Sequence, residues 1–217
     1  MMPNFTFNFA SEFLRKNCSN YYKISPIICD ASNRKYYRVF LTNGETLILM
    51  DAPPSLEKLD EFLKVDRFLL KNGFRAPEVF AYDLKDGFAL IEDFGDLIYK
   101  KAIENANIDE EALYLKAIDV LVNLHQIKIS QEEFKPYSNK ILLDEVALYH
   151  DWYLKYIIKK ELNQDDFANF TKIWKNLLKK TVKNNKVLTL RDYHAQNLFF
   201  LNDGSVGLID FQDALFG

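Results

Sequence analysis

Residues 190–210, LRDYHAQNLFFLNDGSVGLID, set three oxygen-bearing side chains, Asp192, Asn197 and Asp210, around two short apolar runs. The runs Leu198 to Leu201 and Val206 to Ile209 are each of strand length, and Asp203-Gly204 between them is a hairpin-turn signal. A two-residue loop at Asp203-Gly204 places Asn202 against Ser205 and, by antiparallel register, Asn197 directly against Asp210. Directly opposed residues have Cβ atoms roughly 5 Å apart, so an amide oxygen and a carboxylate there can share one hard cation. Mg²⁺ suits such a pair, because it takes one or two protein oxygens and leaves its other positions to water and substrate phosphates. Asp192, on the segment entering the hairpin, is placed to meet an incoming hydroxyl. Asp and Asn also recur at turns because they hydrogen-bond neighbouring backbone. The second Asp in register is what lifts the pattern above an ordinary turn.

Arg191-Asp192, Asn197, a hairpin and then Asp210-Phe211 resemble the catalytic and metal-binding loops of the protein-kinase-like phosphotransferases. The strings RDYHAQNLFFL and IDFQDALFG are similar to one small-molecule branch, the aminoglycoside-phosphotransferase-like kinases. Within it they most resemble the bacterial N-acetylmuramate/N-acetylglucosamine anomeric kinases. DASNRKYYRV, LILMDAPPS, LIEDFGD and EVALYHDWYL extend the resemblance from Asp30 to Gly217. It implies an α+β, protein-kinase-like fold of two lobes, a small β-rich ATP-binding lobe over residues 1–93 and a mainly helical catalytic lobe over residues 94–217. Relatives of this kind continue with further helices after the metal loop, so the resemblance also implies a C-terminal lobe that is truncated, incomplete at its C-terminal end. The implied activity is ATP- and Mg²⁺-dependent transfer of a γ-phosphate to the anomeric hydroxyl of N-acetylmuramate or N-acetylglucosamine, in cell-wall sugar recycling. The alternatives are a kinase of another small alcohol, of aminoglycoside, choline or homoserine type, and a truncated nucleotide-binding pseudokinase, against which intact Asp192, Asn197 and Asp210 count.

The resemblance assigns roles. Asp192 would accept or orient the acceptor's proton, while Asn197 and Asp210 would hold Mg²⁺ against the phosphates, as phosphoryl transfer requires. Asp93-Phe94-Gly95 spells the metal-loop motif of protein kinases, yet it precedes the catalytic loop and cannot supply the metal Asp. The apolar run from Phe88 to Ile91 fits the strand leading out of the small lobe, and Glu92 to Phe94 then form the hinge, with the backbone of Glu92 and Phe94 on the adenine edge. The counterpart of the metal motif is Asp210-Phe211-Gln212. DASNRKYY replaces a glycine-rich phosphate loop, and Met50 stands where protein kinases carry a phosphate-pairing Lys. Arg34, Lys35 and Arg38 are the substitute cations on offer, and Ser32 and Asn33 are candidate donors to phosphate. Glu145, Asp151 and Trp152 match a segment that lies near the sugar pocket in the family, although helical spacing reads Trp152 slightly more as core. Leu190 occupies the place of a family His. His125 and His194 read as packed, hydrogen-bonded histidines.

Composition agrees. A hydrophobic content of 48 %, with 15 % aromatics, is ample for a buried core. A net charge of −3 with no long basic run argues against nucleic acid or an anionic membrane as the main partner, and the tracts KYIIKKE and LLKKTVKNNK read as solvated helix faces. ATP and a small sugar are the expected partners, and the oligomeric state is left open. Cys18 and Cys29 are too few for a disulfide framework or a zinc site, which points to a reducing cytoplasm. MMPNFTFNFASEFL lacks the basic-then-apolar order of a signal peptide, and no uncharged apolar run reaches the roughly 18 residues of a membrane span.

Local signals place the elements. Tyr36 to Leu41, the turn Asn43-Gly44 and Thr46 to Met50 predict a hairpin. After Pro53-Pro54, Ser55 is a candidate cap for a helix with apolar positions Leu56, Leu59, Phe62, Leu63 and Leu69, ending at Asn72-Gly73. Gly95 and Asp96 mark the lobe boundary. EEALYLKAIDVLVNLHQI and LDEVALYHDWYLKYIIKKEL carry apolar residues at helical spacing.

Overall fold

A three-stranded meander with a hairpin laid beside it makes the sheet at the start of the chain, in a computed structural model that describes residues 4–28, 33–104, 108–130, 132–181 and 187–217. Strands β1 (Tyr21–Ile27), β2 (Lys35–Leu41), β3 (Thr46–Asp51), β4 (Val79–Asp83) and β5 (Phe88–Glu92) form an antiparallel sheet in the order β1-β2-β3-β5-β4. Pro26 lacks an N–H and falls on β1, an edge strand, where a missing ladder donor is tolerated. Phe40 faces Thr46 across the β2–β3 turn, and Gly44 takes a left-handed φ of 88° there.

Period-two alternation splits the sheet into two faces. Val39, Leu41, Leu49, Phe88 and Leu90 turn one way and pack with Phe13 and Leu14 of α1 (Asn4–Asn17) and with Cys18 just after it. Ile48 and Met50 turn the other way, and Met50, in the position where protein kinases carry Lys, is only 1 % exposed. A lone ammonium buried there would be costly without a partner, whereas a thioether packs.

Helix α2 (Leu59–Lys71) follows the Pro-Pro break and buries Leu59, Phe62, Leu63, Val65 and Leu69. Its N-cap is Lys58, not Ser55, because Leu56 and Glu57 both donate to the carbonyl of Pro53 and close a turn before the helix begins. Leu56 is accordingly exposed. The C-terminus ends as expected: the Phe74 N–H reaches the Leu69 carbonyl and the Gly73 N–H that of Leu70, a Schellman closure.

One buried residue of α2 sets a pH dependence. Asp66 is 1 % exposed, its Oδ1 has no partner among the described residues, and burial pushes its carboxyl up from 3.8 to about 7. The folded carboxyl therefore holds its proton more tightly than the unfolded one. Its stabilising contribution is complete below the unfolded value and is lost as pH rises through about 7. Thermal unfolding should show wild-type stability falling on the order of 3 kcal/mol more than that of Asp66→Asn between about pH 5 and 8; parallel pH profiles would refute the assignment.

The chain divides into two compact units, residues 1–121 with 191–213 and residues 122–190 with 214–217. The lobe boundary expected at residue 93 lies inside the first, which also holds α3 (Tyr99–Ile103), the start of α4 (Glu110–Gln126), and the hairpin pair β7 (Leu198–Phe200) and β8 (Val206–Leu208). The second unit contains α5 (Asn139–Leu148), α6 (Gln164–Thr181) and a short pair of β6 (Leu188–Thr189) with β9 (Leu215–Phe216). Ser138 caps α5 by accepting from the Ile141 N–H. The single long helix expected after it changes winding: Tyr149–Ile158 is π-helical and ends at Lys159 in the left-handed region. Among the described residues no helix is long and apolar enough to cross a membrane.

Candidate active site

The hairpin that carries the site closes one residue differently from expectation. Leu198 pairs with Leu208, Phe199 with Gly207 and Phe200 with Val206, so the loop is the three residues Asn202, Asp203 and Gly204. The Gly204 N–H donates to the Leu201 carbonyl (2.9 Å) and the Leu201 N–H to that of Ser205 (3.1 Å). Two causes are visible. Asp203 Oδ1 accepts from both the N–H (2.8 Å) and the hydroxyl (2.6 Å) of Ser205, which holds the Asp203 carboxyl below its ordinary value, and Gly204 takes a φ of 77° that a side chain would resist.

This register sets Asn197 against Ile209, whose N–H donates to the Asn197 carbonyl (3.2 Å), and would turn the Asp210 side chain to the opposite face. Asp210 nevertheless comes back, because it adopts a left-handed φ of 58° that interrupts the alternation. Its Oδ2 lies 3.4 Å from Asn197 Nδ2. The expected opposition of Asn197 and Asp210 is thus corrected, while their proximity is observed and rests on backbone strain.

Asn197 is held from several sides. Its Nδ2 donates to the Asp192 carbonyl (3.0 Å) and lies 3.3 Å from His194 Nε2, which leaves Oδ1 without a donor among the described residues. Asp210 Oδ1 accepts from Gln212 Nε2 (2.8 Å), and Gln212 Oε1 is buried without a partner among the described residues. One carboxylate and one amide oxygen match a Mg²⁺ that draws its remaining ligands from phosphate and water. Among the described residues no three His, Cys, Asp or Glu side chains gather into a larger cluster.

The Asp192 carboxylate is exposed and makes no hydrogen bond among the described residues. The preceding Arg191 has a left-handed φ of 69°. Around the loop, the Tyr193 hydroxyl donates to the Ala117 carbonyl (2.7 Å), the Lys100 N–H to that of Ala195 (2.9 Å), and Lys116 to that of Gly204 (2.8 Å). Burial raises the Tyr193 phenol, so it remains a donor. Phe211 stacks on Phe62 of α2 with centroids 5.2 Å apart.

The segment around residues 92–96, expected to form the hinge, is strapped by arginines. Arg38 Nε donates to Asp93 Oδ2 (2.6 Å) and Nη2 to Asp93 Oδ1 (3.1 Å), while Asp96 takes both Nη atoms (3.1 and 2.9 Å). Hydrogen bonding to Arg38 holds the Asp96 carboxyl below its ordinary value. The Asp93 side chain is 3 % exposed and also accepts from the Gly95 N–H. Of Glu92, the N–H is taken by the Glu78 carbonyl (2.8 Å) and the carboxylate by Arg75. Arg34 pairs with Glu57 (2.9 Å) and is buried, while Asn33 is exposed. Arg34 and Arg38, expected as phosphate cations, thus both engage carboxylates. Ser32 and Cys29 lie outside the described residues.

In the second unit, Glu145 Oε2 accepts from the Tyr137 hydroxyl (2.6 Å), and Asp151 Oδ1 lies 2.7 Å from His150 Nδ1. Trp152 is 64 % exposed beside Tyr156, against the leaning toward core, in a π-helical segment that buries none of its residues. Arg75 had no part in the sequence reading, Asp96 was given only the lobe boundary and Gln212 only a place in the metal motif. His194, expected to be packed and hydrogen-bonded, is exposed, and its ring lies near Asn197 Nδ2.

The family model described as "Phosphotransferase enzyme family" matches residues 23–217. A protein of Pseudomonas aeruginosa named N-acetylmuramate/N-acetylglucosamine kinase is 33 % identical over 195 residues, covering 90 % of this chain and 56 % of that protein. A protein of the same name from Caulobacter vibrioides is 34 % identical over 225 residues, covering 86 % and 61 %. The chain therefore spans little more than half the length of these relatives. Among solved structures, ADP-bound aminoglycoside phosphotransferase APH(2'')-Ib aligns with TM-score 0.64 at 20 % identity, covering 96 % of this chain and 71 % of that one. Choline kinase LicA from Streptococcus pneumoniae aligns at 0.66 and 12 %, covering 96 % and 69 %. These similarities show an α+β, protein-kinase-like fold. The expected resemblance holds at the level of the whole matched segment, and the chain belongs to the phosphotransferase enzyme family.

Proposed function

We propose that the chain carries the nucleotide and metal sites of an ATP-dependent kinase that phosphorylates the anomeric hydroxyl of N-acetylmuramate or N-acetylglucosamine. The observation that carries the reading is the pairing of Asn197 with Asp210, which a left-handed Asp210 brings about while Asn197 is held by the Asp192 carbonyl, and the Asp192 carboxylate makes no hydrogen bond among the described residues. The relatives' names support the amino-sugar acceptor. Mg²⁺ bound at Asn197 Oδ1 and Asp210 would neutralise charge on the β- and γ-phosphates. Asp192 would orient the acceptor hydroxyl and take its proton. The Glu92 carbonyl and the Phe94 N–H would meet the adenine edge, since the Glu92 N–H is already engaged. Ser32, Asn33 and Arg34 remain candidates around the phosphates, whereas Arg38 would act through the hinge it straps. Glu145, Asp151 and Trp152 are candidates for the sugar. ATP as donor and the free, buried thiol of Cys18 fit a cytoplasmic setting.

ATP consumption should be measured with N-acetylmuramate, N-acetylglucosamine, an aminoglycoside and choline, with and without Mg²⁺. Turnover confined to the amino sugars and to Mg²⁺ is the expected result. Transfer only to a cationic acceptor would overturn the substrate assignment, and absence of nucleotide binding would overturn the reading as a whole.

A further inference from the structure

We propose that Arg75 is a positioning residue that locks the adenine hinge to the metal-binding hairpin, so that each site depends on it; this rests on the kinase reading above. Arg75 is the residue from which both regions are held at once. Its guanidinium binds the Glu92 carboxylate through two nitrogens (2.7 and 3.2 Å) and lies over the Phe94 ring, 5.2 Å from the centroid. Its own carbonyl accepts from the Leu208 N–H (2.8 Å), and its backbone bridges to Gly207 in parallel fashion. Leu208 is two residues from Asp210, and Glu92 and Phe94 are the proposed adenine contacts.

A second set of contacts closes the same circuit. Phe94 meets Phe199 edge-on at 5.7 Å between centroids, and Phe199 is two residues from Asn197. Gly207 lets Phe94 in: a Cβ at that position would stand 2.8 Å from the ring. The hinge and the hairpin therefore share one packed contact, with Arg75 clamping it from the side chain to the hinge and from the main chain to β8.

Magnitudes separate a positioning role from a stabilising one. The Arg75 side chain is 37 % exposed, and ion pairs at that exposure contribute little to folding. Partners bonded directly to a metal ligand typically change metal affinity by about 10- to 100-fold, and Arg75, whose guanidinium reaches toward Asn197 only through Phe94 and Phe199, should act at the lower end of that range. Loss of the guanidinium should thus leave the fold intact and disturb two binding constants together.

The test uses Arg75→Met, which keeps an apolar stem against Phe94, and Glu92→Gln, which weakens the same ion pair from its other end. AMP affinity without metal reports the hinge, and the Mg²⁺ concentration giving half-maximal ATP binding reports the hairpin. Arg75→Met is expected to weaken AMP about tenfold and to raise the Mg²⁺ requirement about tenfold, with the unfolding temperature little changed. Glu92→Gln should shift both in the same direction. Arg38→Met straps the hinge to β2 only, so it should weaken AMP and leave the Mg²⁺ requirement alone. The proposal is overturned if Arg75→Met changes neither constant, if it changes AMP binding alone as Arg38→Met does, or if a drop in unfolding temperature accounts for its losses while Glu92→Gln binds like wild type. A wild-type chain that binds neither AMP nor ATP would instead remove the kinase reading on which this one rests.

Discussion

Asp192→Asn is expected to lower kcat for transfer to N-acetylglucosamine by about 10²- to 10⁴-fold while ATP affinity stays nearly unchanged. The asymmetry follows from where this carboxylate acts. It is exposed and makes no hydrogen bond among the described residues, so it does not hold the loop, and in the proposed role its partner arrives with the acceptor. An interaction made only as the hydroxyl gives up its proton appears in kcat and kcat/KM alike and leaves binding of the other substrate intact. The Asp192 carbonyl, which accepts from Asn197 Nδ2, is a main-chain atom and survives the substitution. Single-turnover transfer together with ATP titration would check it. A variant that transfers phosphate at the wild-type rate would remove Asp192 from the chemistry.

Asp210→Asn is expected to weaken ATP binding in the presence of Mg²⁺ by about a hundredfold and metal-free binding far less. Outer partners of a metal site already change affinity by about 10- to 100-fold, and loss of the only carboxylate in the pair should reach the upper end. Asn is the right replacement because it tolerates the left-handed backbone that Asp210 adopts at φ 58°, so strain is not altered along with charge. It also keeps an oxygen for the Gln212 amide. Titration with and without Mg²⁺ separates the two roles, and equal losses in both would sink the metal assignment.

Much of the fold was readable because its signals are local. The short, mostly apolar runs at 36–41 and 46–50 and the turn Asn43-Gly44 were enough for the β2–β3 hairpin, and Asn72-Gly73 for the end of α2. Helix α1 and strand β1 were not foreseen. The former lacks acidic residues in its first turn, and the latter contains Pro26, so both depend on the sheet core they join. The π-helical winding of 149–158 was equally hidden, since the same apolar spacing is compatible with an α-helix.

By itself the sequence determined which chemical groups are present and roughly where along the chain they fall: Asp192, Asn197 and Asp210 around a hairpin, with Asp93-Phe94-Gly95 about a hundred positions before them. It did so because turn chemistry and strand periodicity act over a few residues. Only the tertiary structure decided how those groups meet. Ser205 and Gly204 moved the register by one, and the left-handed backbone of Asp210 restored the pairing that the register had broken. It likewise decided that Arg38 serves Asp93 and Asp96, and that Arg75 serves Glu92 and Phe94. Such pairings join residues far apart in the chain, and a charge finds its partner there through the packing of whole elements, which no short window of sequence records.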